Sequence, residues 1–281
     1  MSIPSSETLS WLAILPMASA APRRMGRASF PELYERILVA PIFRPWVEDL
    51  LERAGARTGA RLLDLACGTG IVARLARARV GASGRVVGVD LSAPMLEEAR
   101  RHAPDVEWRE GDACRLPLEE AFDAVVCQQG FQFFPDKAAA AREIRRVLAR
   151  EGRAVIATWC SLEESPCYRE AHAVAERYLG PVADARFGLG AQALERHLAA
   201  AGLRILKMET LRKTLRFDDP TAFLRMNAMA LVGMSGKALD DAARERMVAA
   251  IAADSAAAAA PYLDGGRLAF EAATSVATAT A

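Results

Sequence analysis

Between Leu62 and Trp159 the chain repeats one rhythm: a short apolar run, a turn of glycine or acid, then apolar residues at helical spacing. Leu62 to Leu65 is the first buried run, with a glycine turn at Gly68 to Gly70 and a helix over Ile71 to Ala78. A second run, V-V-G-V-D, ends at Asp90, and Ser92 caps a helix starting near Ala93. Val106 to Asp112 and Phe122 to Cys127 read as the third and fourth strands. Asp136 caps a helix ending near Arg150, Gly152 follows it, and Arg153 to Trp159 is the fifth strand. A helix over Ala191 to Ala201 leads through Gly202 into a sixth strand, Arg204 to Glu209. Asp218-Asp219-Pro220 opens another helix, and Leu239 to Ala253 follows with Met247, Val248 and Ile251 on one face. Ala256 to Ala260 extends that helix until Pro261, and Leu268 to Thr278 is the last strand. Upstream, one helix begins near Tyr34 and a second spans Phe43 to Ala54.

Strands alternating with helices predict a three-layer α/β/α sandwich, Rossmann-like, around a mostly parallel seven-stranded sheet. Four segments follow: a tail over residues 1–29, a core over 30–217, a helical cap insertion over 218–266, and a final core strand over 267–281.

The chemistry concentrates at strand ends. Asp90 follows the glycines by about 20 residues, the spacing at which a nucleotide-binding βαβ unit puts an acid on a ribose hydroxyl. Gly68-Thr69-Gly70 with Ala73 also satisfies the nicotinamide fingerprint. Asp64 argues against that ligand: a carboxylate inside the first strand aims at the turn where a pyrophosphate would sit, and like charges in a shielded crevice are costly. A cationic ligand with a ribose and no phosphate suits the acids better, and S-adenosylmethionine is such a ligand. Gly111-Asp112 ends the third strand, where the acid would accept from an adenine amino group, and the fourth runs into Gln128, Gln129 and Gly130.

Composition narrows the partners. The chain has 281 residues and net charge +1, without a dense Lys/Arg cluster to track a nucleic-acid backbone, and no run long enough to span a bilayer. Cys67, Cys114, Cys127, Cys160 and Cys167 are scattered and odd in number, which suggests free thiols in a reducing cytoplasm. His102, His172 and His197 lie on separate predicted helices without metal-ligand spacing, and read as surface or packing residues. Leu9 to Met17 is apolar and precedes Ala18-Ser19-Ala20, yet Glu7 and the lack of a preceding positive charge are wrong for a secretory signal. The segment reads as a disordered tail or docked lid, with Met25 as an alternative start of translation.

The motifs D-L-A-C-G-T-G, V-D-L-S-A-P-M-L, G-D-A and F-D-A-V-V-C-Q-Q-G-F-Q-F-F-P-D, in this order, resemble those of class I S-adenosylmethionine-dependent methyltransferases. The likeness is to the small-molecule branch around ubiquinone and menaquinone biosynthesis, and covers about Tyr34 to Leu206. It implies an antiparallel last strand. It also implies that Asp64, Gly68 and Gly70, with Ala66 and Cys67 in the same turn, hold the methionine end. Asp90 would take the ribose, Leu91 and Met95 the adenine face, and Gly111, Asp112 and Ala113 the adenine edge. Gln128 or Gln129 would close the site, and Tyr34 would approach the methionine carboxylate.

The acceptor is expected to be a small aromatic or heterocyclic metabolite, taking the methyl on O, N or C. Phe131, Phe133, Phe134, Trp159, Tyr168, Met226 and Asn227 are the candidate pocket, and no catalytic base is assigned. Gln132, His172 and Asn227 are polar groups to test. A non-catalytic regulator that binds S-adenosylmethionine and a nicotinamide-dependent oxidoreductase are the alternatives.

Overall fold

The computed structural model describes residues 29–281. The tail over residues 1–28, with Leu9 to Met17 and Met25, lies outside the described residues. The chain opens with α1 (Phe30–Tyr34), a nine-residue π-helical stretch (Glu35–Phe43) and α2 (Arg44–Arg53). Then β1 (Arg61–Leu65), α3 (Ile71–Val80), β2 (Arg85–Asp90), α4 (Ala93–His102), β3 (Glu107–Glu110), β4 (Phe122–Gln128) and α5 (Lys137–Val147) alternate. They are followed by β5 (Leu148–Trp159), α6 (Pro166–Leu179), α7 (Ala191–Ala200), β6 (Arg204–Phe217), α8 (Pro220–Met234), α9 (Asp241–Ala259), β7 (Leu263–Asp264) and β8 (Arg267–Thr280).

The sheet order is β3-β2-β1-β4-β5-β8-β6, with β7 paired to β8. The first five strands pair in parallel, and β8 lies antiparallel between β5 and β6. The fold is therefore the expected mostly parallel sandwich, with one more strand: β7 is a two-residue return that the Gly265-Gly266 turn folds onto β8. Strands buried on both faces explain the near-continuous apolar runs. One face packs Trp46, Leu50, Leu51, Val72, Ala76 and Leu96 from α2, α3 and α4. The other packs Ile144, Val147, Leu194 and Leu198 from α5 and α7 against Leu63, Leu65, Val87 and Val125.

Several boundaries differ from the sequence reading. Helix α5 stops at Val147, because Leu148 already pairs with Phe122 across the sheet. Strand β3 is shorter at both ends. Strands β6 and β8 are longer, pairing from Arg204↔Thr280 to Phe217↔Leu268, while β5 reaches only Thr274 to Thr280 of β8. Their far ends thus leave the sheet as a two-stranded ribbon. Polar residues on its open side disguised that extension, while Leu215, Phe217, Leu268 and Phe270 are buried on the other.

Helices α8 and α9, within the segment 218–266, do not pack alone. Asp219 and Asp240 cap α8 and α9 through bonds from the Ala222 and Ala243 backbone N–H groups. Met226, Leu231, Val232, Val248 and Ile251 from these helices form a core with Ala175 and Leu179 of α6. Phe30, Leu33, Ile37 and Leu38 close it from the N-terminal segment. An amphipathic pair of helices needs a third surface to bury its apolar stripe, and α6 supplies it.

Strand β2 carries a glycine where the indole of Trp108 crosses it. A side chain at Gly88 would put its Cβ 2.3 Å from a ring carbon of Trp108, and one at Gly70 2.2 Å from the same ring. Trp108 Nε1 donates to the Ala103 carbonyl at 2.9 Å, which fixes the ring. Gly88→Ala is expected to destabilise the fold by about 1–3 kcal/mol through overpacking. Urea denaturation measures it, and unchanged stability would mean that the indole moves aside freely.

Candidate functional site

Strand order reverses between β1 and β4, since β2 and β3 lie to one side and β4 and β5 to the other. In open α/β sheets ligands bind outside the carboxyl ends of the strands at such a point. Both strands end there in a sharp turn. Ala66 after β1 has φ +57° and Gln129 after β4 has φ +56°, the only non-glycine residues with positive φ among the described residues. Such backbone costs of order 1 kcal/mol or more and persists where the surroundings enforce it. Here the two turns touch: a Cβ on Gly130 would lie 2.5 Å from the Ala66 Cβ.

The glycine loop is tied to the end of β2 by Asp90. Its Oδ2 accepts from the Gly68 N–H at 2.8 Å, and its Oδ1 accepts from the Ser92 N–H at 2.9 Å. A carboxylate has about four lone-pair sites, so both oxygens keep capacity for hydroxyls. Asp90 is partly exposed, and burial raises its pKa against the opposing pull of the Ser92, Gly68 and Leu91 N–H groups. Leu91, beside it, is 51 % exposed, an apolar side chain left uncovered at the mouth of the crevice, while Met95 is buried one helical turn on.

Asp64 sits beneath the loop rather than in it. It is 1 % exposed, and its Oδ2 accepts from the Ala73 N–H at 2.9 Å. It therefore caps α3, whose N-cap residue Gly70 has no side chain to do so. Burial pushes its pKa up to about 7; the Ala73 bond opposes this, the Asp90 charge adds to it, and Arg74 opposes it. The sequence reading aimed this acid at the ligand; its observed contact is with the helix, and it acts on the crevice through its charge.

Tyr34 stacks on Phe43 at 5.2 Å between ring centroids, and its hydroxyl lies where a Gly68 side chain would meet it at 3.8 Å. Burial, then the charges of Asp90, Glu35 and Asp64, hold its proton tightly. Ala113 is buried at the end of β3, whereas Asp112 is exposed and accepts from the Cys114 N–H at 2.8 Å as turn chemistry does. Gly111 donates its N–H to the Asp90 carbonyl at 3.0 Å. Cys67 is buried, and burial raises its thiol pKa well above the usual range, so it is inert.

The two glutamines expected to close the site are committed elsewhere by their donors. Gln128 Nε2 donates to the Phe43 carbonyl at 2.8 Å, tying the π-helical stretch to β4. Gln129 Nε2 donates to Thr274 Oγ1 at 2.9 Å, and that hydroxyl donates to the Thr158 carbonyl. Their Oε1 atoms are buried without a partner.

The acceptor pocket drawn from sequence does not assemble as one surface. Phe131 and Phe134 pack edge to face at 5.6 Å on the α5 and α7 side of the sheet. Trp159 and Tyr168 lie on the opposite side, Trp159 against Trp46 and Tyr168 among Phe187, Phe223 and Phe270. Strand alternation and the short turn after β4 send neighbouring residues to different faces. Phe133 is half-buried, and Met226 belongs to the cap core. Asn227 accepts from Arg186 Nη1 at 2.9 Å, while Asp184 accepts from the Arg186 Nε and Nη2 at 2.8 and 2.6 Å. His172 packs against the Val182 carbonyl at 3.0 Å. Sequence reasoning missed Trp108 and the Arg74–Glu35 ion pair at 2.7 Å; a lone glycine inside a strand, as at Gly88, is the signal for a close approach.

A family model described as a methyltransferase domain matches residues 63–156. A 2-phytyl-1,4-naphtoquinone methyltransferase of Thermosynechococcus vestitus is 37% identical over 131 residues, 44% of this chain and 58% of that protein. A demethylmenaquinone methyltransferase of Thermotoga maritima is 40% identical over 126 residues, 44% of this chain and 55% of that protein. The chain thus spans little more than half the length of these relatives. Among solved structures, the YcgJ protein of Bacillus subtilis shares the fold at TM-score 0.54 and 18% identity, covering 83% of this chain and 97% of that one. The cyclase SpnF shares it at TM-score 0.55 and 21% identity, covering 100% and 98%.

Asp64→Asn would keep the Ala73 bond through Oδ1 and remove the buried charge. A carboxyl whose folded pKa is raised stabilises the fold at low pH and loses that contribution as pH climbs through the folded value. The wild type should therefore lose stability relative to the variant between about pH 4 and about pH 7. Urea denaturation across that range tests it, and a constant difference would contradict it.

An acid closing β2 on the glycine loop, a buried acid under that loop, and strained turns at the switch point occur on the residues that the family model matches. Residues 63–156 of this chain are similar to the methyltransferase-domain family, and the strand ends that build the crevice lie within that match.

Proposed function

We propose that the chain transfers a methyl group from S-adenosylmethionine to an O, N or C atom of a small aromatic or heterocyclic, quinone-like acceptor. The observation that carries this reading is the pair of acids around the glycine loop, Asp64 beneath it and Asp90 across it. A buried carboxyl with its pKa pushed up to about 7 is incompletely matched by Arg74, whose guanidinium is paired with Glu35. A sulfonium and an ammonium in the crevice would supply that charge, and a pyrophosphate would worsen the mismatch. The residues present therefore fit the cofactor.

Asp90 would accept the ribose hydroxyls while still bonding Gly68 and Ser92. Leu91 and Met95 would flank the adenine, with Ala113 and Asp112 at its edge. The backbone of Ala66 to Gly70 and the Tyr34 hydroxyl would bound the methionine end. When bound, the cofactor supplies an electrophilic methyl on sulfur. The protein's own contribution is to orient the acceptor and exclude water, and effective molarities of about 10⁵ M and above make positioning alone a large term. The similarity to a 2-phytyl-1,4-naphtoquinone methyltransferase and a demethylmenaquinone methyltransferase supports a quinone-like acceptor.

A free small molecule is the acceptor rather than nucleic acid, since the net charge is only +1 and basic side chains such as Arg85 and Arg146 are paired with Glu107 and Glu143. Among the described residues no helix is long and apolar enough to cross a membrane. Five free cysteines, four of them buried, support the cytoplasm as the working compartment.

Calorimetric titration with S-adenosylmethionine, with NAD as the control, tests the cofactor. Binding of the first alone is expected, and binding of NAD alone would overturn the reading. Asp90→Ala is expected to weaken S-adenosylmethionine binding by about 1–3 kcal/mol, the cost of unpaired buried hydroxyls. Unchanged affinity would remove Asp90 from the site. Release of S-adenosylhomocysteine with an acceptor separates an enzyme from a protein that only binds the cofactor.

A further inference from the structure

After β4 the chain makes one 3₁₀ turn over Phe131–Phe133, closed by the Phe133 N–H to the Gly130 carbonyl and the Phe134 N–H to the Phe131 carbonyl. Such a turn has three residues per revolution, so Phe131 and Phe134 point the same way. Both are anchored on the α5 and α7 face. Gln132 leaves the turn in another direction, and it is 5 % exposed. Neither its Nε2 nor its Oε1 has a hydrogen-bond partner, and both atoms are buried.

Buried polar side chains nearly always find partners, and an unmet one calls for an explanation. Gln128 and Gln129 each leave one oxygen unmet but use their nitrogen to tie elements together. Gln132 makes no such tie. It holds no element in place, and an apolar residue of the same size would fill the position without stranding two polar atoms. Its location is the end of β4, at the strand reversal where the crevice opens.

We propose that the Gln132 carboxamide grips the methyl acceptor, and that the acceptor is a neutral ring with a hydrogen-bond donor and acceptor on neighbouring atoms, as in a cyclic lactam or a catechol. The Nε2–H donates to the ring's oxygen, and Oε1 accepts from its N–H or O–H. A carboxamide offers one of each side by side and no charge. An anionic acceptor would leave Oε1 facing a lone pair, with Asp64 and Asp90 adding repulsion from the neighbouring strand ends. The inference rests on the methyltransferase reading above and adds the chemistry of the acceptor to it.

The test is calorimetry on the full chain saturated with S-adenosylhomocysteine, using two matched probe pairs. These are 2-quinolone against N-methyl-2-quinolone, and 2,3-dihydroxynaphthalene against 2,3-dimethoxynaphthalene. The wild type is expected to bind the unblocked member of each pair about tenfold or more tightly, the size of effect that one satisfied buried group confers. Gln132→Leu should erase that preference while S-adenosylhomocysteine affinity holds and the melting temperature stays level or rises. Gln132→Glu, which keeps an acceptor but loses the donor and adds a charge, should also lose the preference. A wild type that binds S-adenosylhomocysteine but does not discriminate within either pair overturns the proposal, as does a Leu variant that keeps the preference. A melting temperature that falls sharply in the Leu variant assigns Gln132 to the fold and overturns it too. A wild type that fails to bind S-adenosylhomocysteine defeats the methyltransferase reading itself, and this proposal with it.

Discussion

The abutment of two turns governs this molecule. Gly130 meets Ala66 so closely that no side chain fits between them, and both Ala66 and Gln129 hold backbone that non-glycine residues avoid. Strain of that kind needs rigid surroundings, and the two most central parallel strands provide them. The crevice follows from it. The glycine loop after β1 is pushed toward β2, where Asp90 takes hold of it, and the loop after β4 is left to turn Gln132 away from the apolar layer that anchors Phe131.

Electrostatics then tune what geometry has built. Two acids share one small crevice, one capping a helix from below and one bracing the loop from the side. The chain tolerates the deeper acid at a cost in pH-dependent stability. Natural sequences accept local conflicts of this sort at sites of function more readily than elsewhere. The raised carboxyl and the unmet glutamine are such conflicts, and they stand at adjacent strand ends.

Much of this was legible in the sequence because burial on both faces leaves a plain record. Runs such as Leu62 to Leu65 and Phe122 to Cys127 are apolar apart from one acid each, Asp64 and Asp123, and lead into turn residues, so strand positions and strand-end chemistry could be read together. The acceptor pocket was not legible. Phe131, Phe134, Trp159 and Tyr168 are close in sequence, but their directions depend on strand parity and on a 3₁₀ turn that composition does not reveal. The ribbon of β6 and β8 was under-read because charged side chains on its outer face hide the strand period. Asp64 was expected to aim at the turn, yet its partner is the Ala73 N–H, in a helix whose N-cap position is a glycine without a capping side chain, a need that no local sequence pattern announces.

The position of β8 sets a problem for the chain while it is being made. In the finished sheet β6 has a single neighbour, and that neighbour is drawn from residues 267–280. Two helices are synthesised between them. Through that interval a fourteen-residue strand leaves the ribosome with both edges open, the situation in which strands pair with the wrong partner. Arg204, Lys207, Arg212, Lys213 and Arg216 space like charges along it, and two copies aligned edge to edge would repel. Basic residues on both sides of β6 that look incidental in the folded protein thus disfavour its self-pairing until the last strand arrives.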